Sequence, residues 1–421
     1  MNLGFDTLPA ACDVLVVGAG PSGSAAALTL AQAGLDVVLA DQHAFPRDKV
    51  CGDGLIPDAH HALRRLGLFD AVMAQAQASG FVGCIGPRGG RIDVPGELAV
   101  LPRKQLDEIV CRGAVAAGAR MFAPARFVGT LEAAGSVVGA KLQHGGALRE
   151  VRARWLLLAS GAVPQALMAA GMAQRQTPSG VALRGYVKNA AMVGRISALE
   201  IVWHRALTPG YGWIFPCRDG VFNIGVGSAD SHSRRRGGRF VKRALNLNEV
   251  MSDFQRVYAP ARELMRGGTL LGPMKGAPLR CTLEGAKYTR PGLLVVGEAA
   301  GSTYSFTGEG IGKALETGLH AAEAVLAGSA EAWADARTRA DADAAVRADY
   351  EARLRALKPR FDLYERANIV NTHPWLADLL IWRAQGNPRI VRRMSGVLNE
   401  TSNPGNLVSA KGIARLFLDR R

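Results

Sequence analysis

The stretch "CDVLVVGAGPSGSAAALTLAQAGLDVVLAD", Cys12 to Asp41, decides the fold class. Cys12–Val17 is a short, nearly unbroken apolar run, the pattern of a parallel strand buried on both faces. Gly18, Gly20 and Gly23 follow at once in G-x-G-x-x-G spacing, with Ala19 between the first two. A helical pattern carries Ala26, Ala27 and Leu30 to a stop at Gly34, and Val37–Ala40 reads as a second strand ending at Asp41. This layout suits dinucleotide binding. Gly18 permits a tight turn, Gly20 lets the backbone approach a pyrophosphate, and Gly23 lets the helix pack on the strand. The helix N-terminus offers free N–H groups and a positive dipole end to phosphate. Asp41 stands where a carboxylate accepts the ribose hydroxyls, which disfavours a 2′-phosphate. Both FAD and NAD satisfy these residues.

The rest of the chain bounds the answer. With 421 residues, two or three lobes are expected. The six cysteines are scattered and form no CxxC pair, which argues against a metal knuckle or a disulfide scaffold and suits a reducing, cytoplasmic setting. No metal site is expected; His60 and His61 lack Asp, Glu or Cys at ligand spacing and read as surface or capping residues. No run is long and apolar enough to span a bilayer. The net charge is +15, densest in "RRRGGRFVKR" (Arg234–Arg243), and it draws anionic partners without selecting among them. No nucleic-acid signature accompanies that charge.

A distant stretch separates flavin from nicotinamide. "GLLVVGEAAGSTYSFTGEGIGKALETG" (Gly292–Gly318) is another buried strand, a small-residue turn, and a helix expected over Ile311–Leu326. Here the chain resembles the flavoprotein superfamily of the p-hydroxybenzoate hydroxylase type. The resemblance maps Gly297, Glu298, Ala299, Ala300 and Gly301 onto a GDAAG-like FAD motif, with Glu298 replacing the usual Asp. It places Gly310 and Ile311 beside the flavin ring, and it brings Arg103 of "LPRKQLDEIV" to the FAD pyrophosphate; by chemistry alone Arg103 could equally pair with Asp107. Ala19 and Ala125 join the implied cofactor contacts. The ADGxxS element of the hydroxylases is altered in "WLLLASGAVP": Ser160 stands where Asp is usual, which weakens a hydroxylase reading.

Three further segments resemble the geranylgeranyl reductase family. They are the PxxxxCGxGL loop in "FPRDKVCGDGL" (Phe45–Leu55), the YxWxFP segment Tyr211–Pro216 leading to Gly225 and Gly227, and the TGEGI stretch already quoted. Ser305 departs from the Pro that relatives commonly carry. The resemblance implies FAD-dependent reduction of isolated C=C bonds in polyprenyl chains. It places Cys51, Gly52 and Gly54 against the flavin, Tyr211, Trp213 and Phe215 as a substrate wall, and Tyr211, Trp213 and Cys51 as catalytic candidates. Tyr211 suits orientation or proton delivery. Cys51 is a second donor or a plain wall residue, and alternating bulky residues also suit simple strand packing. A flavin monooxygenase or halogenase is the alternative, since halogenases carry a WxWxIP segment and a lysine near the flavin, with Lys49 and Lys104 available here. A non-catalytic flavin-binding, membrane-associated protein is a further alternative.

The expected fold is α/β, with a discontinuous Rossmann-type FAD-binding lobe, a β-rich substrate lobe and a helical C-terminal region. Residues 1–175 form the first and middle segments of the FAD lobe, with an insert at 61–100. Residues 176–284 form the substrate lobe, 285–330 the closing segment and 331–421 the helical region. Expected partners are a hydrophobic small molecule and an electron source, either NAD(P)H or a ferredoxin-like protein, the latter suited to the basic charge. The amphipathic stretches Leu376–Glu400 and Ala410–Arg421 suit either a cover over the substrate lobe or peripheral contact with the inner face of an anionic membrane.

Overall fold

The computed structural model describes residues 2–228, 235–236, 239–240, 245–329 and 336–403. Most of Arg234–Arg243 and all of Ala410–Arg421 lie outside the described residues.

The first sheet is built from segments far apart in the chain. Its order is Thr289–Arg290, Leu293–Val295, Ala147–Leu158, Ala11–Val17, Val37–Ala40, Arg120–Phe122, with every pairing after the first parallel. Successive side chains point to opposite faces of a strand. Val14, Val16, Val37, Leu39 and Leu157 therefore face one core with the helices Pro21–Gln32 and Ile311–Ser329. Leu15, Val17, Val38, Leu156 and Leu158 face a second core with Phe122, Phe127 and Leu142. Burial on both faces explains why these strands read as continuous apolar runs. The helix Ile311–Ser329 lies directly on Pro21–Gln32, because Gly318 leaves room for the Ser22 carbonyl where a side chain would overlap it.

The second sheet has nine strands and is mostly antiparallel. Gly180–Lys188, Leu199–Val202, Gly210–Pro216 and Val221–Ser228 occur where β-rich character was expected. An insert in the FAD lobe was expected at 61–100. It carries two long strands, Gln77–Ile85 and Arg91–Val100, and these belong to the second sheet, where Gln77–Ile85 runs parallel to Leu199–Val202. Their alternating burial identifies them as half-buried strands, but pairing with a strand more than a hundred residues away leaves no local signal.

One expectation is corrected outright. His60 is fully buried rather than at the surface: it lies on the inner face of the helix Pro57–Arg65 with Leu63 three residues on, edge-on to Phe69 at 5.4 Å between ring centroids. Burial lowers its pKa, so it is held neutral. His61 is exposed.

The C-terminal part begins with the helix Ala336–Ala367, which packs along Ile311–Ser329. Trp375–Ala384 and Pro388–Leu398 then lie over the strands Gln77–Ile85 and Arg91–Val100, burying Leu376, Ala377 and Val397. No described helix is long and apolar enough to cross a membrane.

Candidate functional site

The fingerprint turn opens the site. Gly18 has φ +106°, and any side chain there would overlap the Ala159 carbonyl oxygen on the neighbouring strand. Gly23 likewise leaves no room between the helix and the Gly18 carbonyl. Asp41 Oδ2 accepts from the Ala19 backbone N–H at 2.9 Å, and Oδ1 accepts from the His43 N–H at 2.9 Å. The carboxylate that ends the second strand is thus tied to the turn that ends the first. Ala125 donates its backbone N–H to the Asp41 carbonyl at 2.6 Å.

Two guanidinium groups converge on Gly20. A Cβ at that position would lie 3.6 Å from Arg47 Nη2 and 3.9 Å from Arg103 Nη2. Arg103 forks onto Asp107, with Nε and Nη2 donating to the two carboxylate oxygens at 2.6 and 2.8 Å. Arg47 donates to Asp107 at 3.1 Å and lies 3.4 Å from Asp41. Arg103 is therefore paired with Asp107, and it also lines the cavity beside the turn. Sequence reasoning missed Arg47, since an arginine in a loop after the second strand carries no spacing rule.

The middle of the site is a buried polar junction. Asn223 Nδ2 donates to the Cys51 carbonyl at 2.8 Å and to Asp53 Oδ2 at 2.7 Å, while its Oδ1 accepts from Trp213 Nε1 at 2.9 Å. Asp53 also accepts from the Tyr186 hydroxyl and, at 3.2 Å, from the Arg103 backbone N–H. Burial pushes the Asp53 carboxyl up to about 6 despite these donors. Gly52 lies close under the wall, where a Cβ would be 3.2 Å from Phe215 and 3.5 Å from Trp213 Nε1; at Gly54 it would be 3.4 Å from Phe215. Burial raises the Cys51 thiol, so it stays protonated.

The third part is the turn before Ile311–Ser329. The Tyr211 hydroxyl donates to the Thr307 carbonyl, and Thr307 Oγ1 donates to Glu309 at 3.0 Å. Gly308, at φ +69°, leaves room for the Tyr211 hydroxyl. Glu298 lies 3.7 Å from Lys49, which brings the GEAAG motif against the Cys51 loop. Ser160 and Ser305 line the same cavity with hydroxyls that have no hydrogen-bond partner.

These parts enclose one cavity of about 1000 Å³. Its lining includes Gly18, Gly20 and Asp41 at the turn, Cys51, Gly52, Gly54, Gly310 and Ile311, and the aromatics Tyr211, Trp213 and Phe215. With Tyr211 and Phe215 packs an apolar part of the lining, made by Val82, Val94, Leu98, Leu199, Met394 and Leu398. The last two come from the C-terminal helix, whose contribution to the site has no motif. Ala19, Gly23 and Gly297 stand behind the wall rather than on it; a side chain at Gly297 would overlap the Ser22 hydroxyl, so this glycine lets the GEAAG turn meet the fingerprint helix. Lys104 does not line the cavity.

The residues present fit FAD. Glycines clear of side chains, a helix N-terminus at Pro21, two arginines at the turn, and an unpartnered Ser160 hydroxyl match the needs of a pyrophosphate flanked by riboses.

The comparisons with known proteins agree. A family model described as "FAD binding domain" matches residues 11–241. The chain is 34% identical to a menaquinone reductase of Mycolicibacterium smegmatis, over 75% of this chain and 76% of that one. It is 31% identical to a digeranylgeranylglycerophospholipid reductase of Methanosarcina mazei, over 74% of each. Among solved structures, a geranylgeranyl bacteriochlorophyll reductase-like protein of Thermoplasma acidophilum superposes with a TM-score of 0.69 at 21% identity, covering 97% of this chain and 96% of that one. A flavin-dependent brominase superposes as well, at 0.70 and 19%, covering 97% and 98%, so the fold does not separate reductase from halogenase. With the FAD model spanning more than half of the chain, and reductases as its sequence relatives, the chain belongs to the geranylgeranyl reductase family of FAD-dependent oxidoreductases, within the p-hydroxybenzoate hydroxylase-type superfamily.

Proposed function

We propose that this oxidoreductase reduces C=C bonds in a polyprenyl or similarly hydrophobic chain. The carrying observation is the cavity, whose lining joins the fingerprint turn to an apolar cluster packed with Tyr211 and Phe215. An isolated alkene offers no polar handle, so the protein binds it by shape and dryness rather than by hydrogen bonds. Bound FAD supplies the hydride in its reduced state. The chain's own residues hold that cofactor through Gly18, Gly20, Asp41, Arg47 and Arg103, and exclude water through the apolar wall. Trp213 is fixed by Asn223, and Tyr211 by Thr307, so both aromatics act by position. Cys51 contributes a protonated thiol to the same wall.

The electron source is NAD(P)H or a ferredoxin-like protein, the latter favoured by the net charge of +15. A cytoplasmic protein in peripheral contact with the inner membrane face would meet such substrates. A monooxygenase or halogenase is the second reading, favoured by Lys49 lining the cavity beside Glu298. Turnover under anaerobic conditions with a chemical reductant separates them. Saturated product without oxygen is expected; an absolute requirement for oxygen overturns the reductase reading.

A further inference from the structure

Saturating an isolated alkene adds a hydride to one carbon and a proton to the other. With no carbonyl to absorb charge, the proton needs a positioned acid. The two polar aromatic donors of the wall have their protons engaged: the Tyr211 hydroxyl donates to the Thr307 carbonyl, and Trp213 Nε1 to Asn223. Glu309 is held by the side chain of the same Thr307. It lines the cavity immediately before Gly310 and Ile311, and receives the Thr307 hydroxyl on one oxygen at 3.0 Å.

Resting on the alkene-reduction reading, we propose that Glu309 is the acid that protonates the substrate carbon. Its Oε–H bond breaks and a C–H bond forms on the carbon left electron-rich as its neighbour takes the hydride. The two electrons come from reduced flavin, recharged by an external two-electron donor, and the carboxylate regains a proton from solvent before the next turnover.

The surroundings keep this acid charged with its proton. Asp58 faces it from the helix Pro57–Arg65, Lys313 from its own helix, and Glu400 from the segment after Pro388–Leu398, with the phenols of Tyr211 and Tyr364 also near. Lys313 is spent on other anions: it lies 2.6 Å from Glu316 and 2.9 Å from Glu400, and only 3.8 Å from Asp58. Arg360 is likewise paired with Glu400. The Asp58 side chain is 6% exposed, and neither of its oxygens has a hydrogen-bond partner. Burial first, and Asp58 second, raise the Glu309 carboxyl to about 8, so it holds its proton at neutral pH.

Three measurements test this. Glu309→Gln should lose about 100-fold or more in kcat, with KM and bound FAD little changed. Glu309→Asp, which keeps an acid one methylene shorter, should recover part of the rate and guards against a folding defect. The wild-type rate should fall as pH rises through the Glu309 carboxyl, and Asp58→Asn, outside the cavity, should move that limb to lower pH by removing a like charge. In the ligand-free protein, the carboxylic-acid infrared signal that Glu309→Gln abolishes should titrate near the same pH. An active wild type beside an equally active Glu309→Gln overturns the assignment alone. A wild type that saturates no alkene anaerobically overturns the underlying reading, and this assignment with it.

Discussion

Asn223 shows how much one buried amide can hold in place. Its two N–H donors and its carbonyl are all used, on the Cys51 carbonyl, the Asp53 carboxylate and the Trp213 indole. Asn223→Ala strands the Cys51 carbonyl and the Trp213 indole, while Asp53 keeps the Tyr186 hydroxyl and the Arg103 N–H, and each unsatisfied buried polar group costs about 1–3 kcal/mol. With some relaxation the expected loss is about 3 kcal/mol, read from the denaturant midpoint. Asp53 adds a pH signature. Its folded carboxyl is raised to about 6 from 3.8, so the native state binds that proton more tightly than the unfolded chain does. The stabilisation is full below the unfolded value and is lost as pH rises through about 6. Asp53→Asn, which mimics the neutral form toward Tyr186 and Asn223, should therefore gain on the wild type between pH 4 and pH 6, by on the order of 1–3 kcal/mol; melting curves across that range decide it. Residues of this kind are hard to read from sequence. Gly18 and Asp41 announce themselves through spacing because their partners are local or one strand away. Asn223 and Asp53 meet across 170 positions, and Glu309 is hidden inside a glycine motif whose glycines draw the attention.

At the scale of elements, the paired strands Gly210–Pro216 and Val221–Ser228 explain Gly225. Trp213 sits opposite Gly225 in their register, and its ring lies where a Gly225 side chain would be. Gly225 is thus the floor on which the indole rests, a cross-strand role that a glycine suggests without specifying. Gly225→Ala should rotate Trp213 off Asn223 and into the cavity, costing about 1–3 kcal/mol of stability by overpacking. Because the fingerprint turn lies in the other sheet, flavin absorbance should persist while turnover falls at least tenfold. Loss of flavin before turnover would show instead that the second sheet holds the cofactor. The same two sheets mark the limit of reading elements in order. Strands buried on both faces were visible as apolar runs, and the β-rich character expected of 176–284 is matched by Gly180–Lys188, Leu199–Val202, Gly210–Pro216 and Val221–Ser228. Gln77–Ile85 and Arg91–Val100 join the second sheet, which no sequence feature announces, because alternation reports a half-buried strand and not its partner.

Across the whole molecule, the C-terminal helices face two ways. The inner side of Trp375–Ala384 gives Ala377, Leu380 and Ile381 to the cavity, while Trp375 and Trp382, seven residues apart and so on one face, are 57% and 48% exposed. Exposed arginines follow on the next helix at Arg389 and Arg392. Amphipathic composition in this region was legible, but which side would face inward depends on strands three hundred residues earlier. Tryptophan beside arginine is the pairing favoured at a lipid interface, where the indole enters the headgroup layer and the cation meets anionic lipid. A net charge of +15 strengthens the attraction within about one Debye length, and salt weakens it. Purified protein should therefore co-sediment with phosphatidylglycerol vesicles at low salt and far less with phosphatidylcholine alone. Trp375→Ala combined with Trp382→Ala should lower that binding about tenfold, as expected for withdrawing two partly inserted rings. The double variant should keep its flavin and its turnover of a short, water-dispersed substrate, because neither ring reaches the cavity. Equal binding by the double variant would mean that charge alone carries the contact; a change in oligomeric state without a change in vesicle binding would mark the tryptophan face as a contact between copies of the chain.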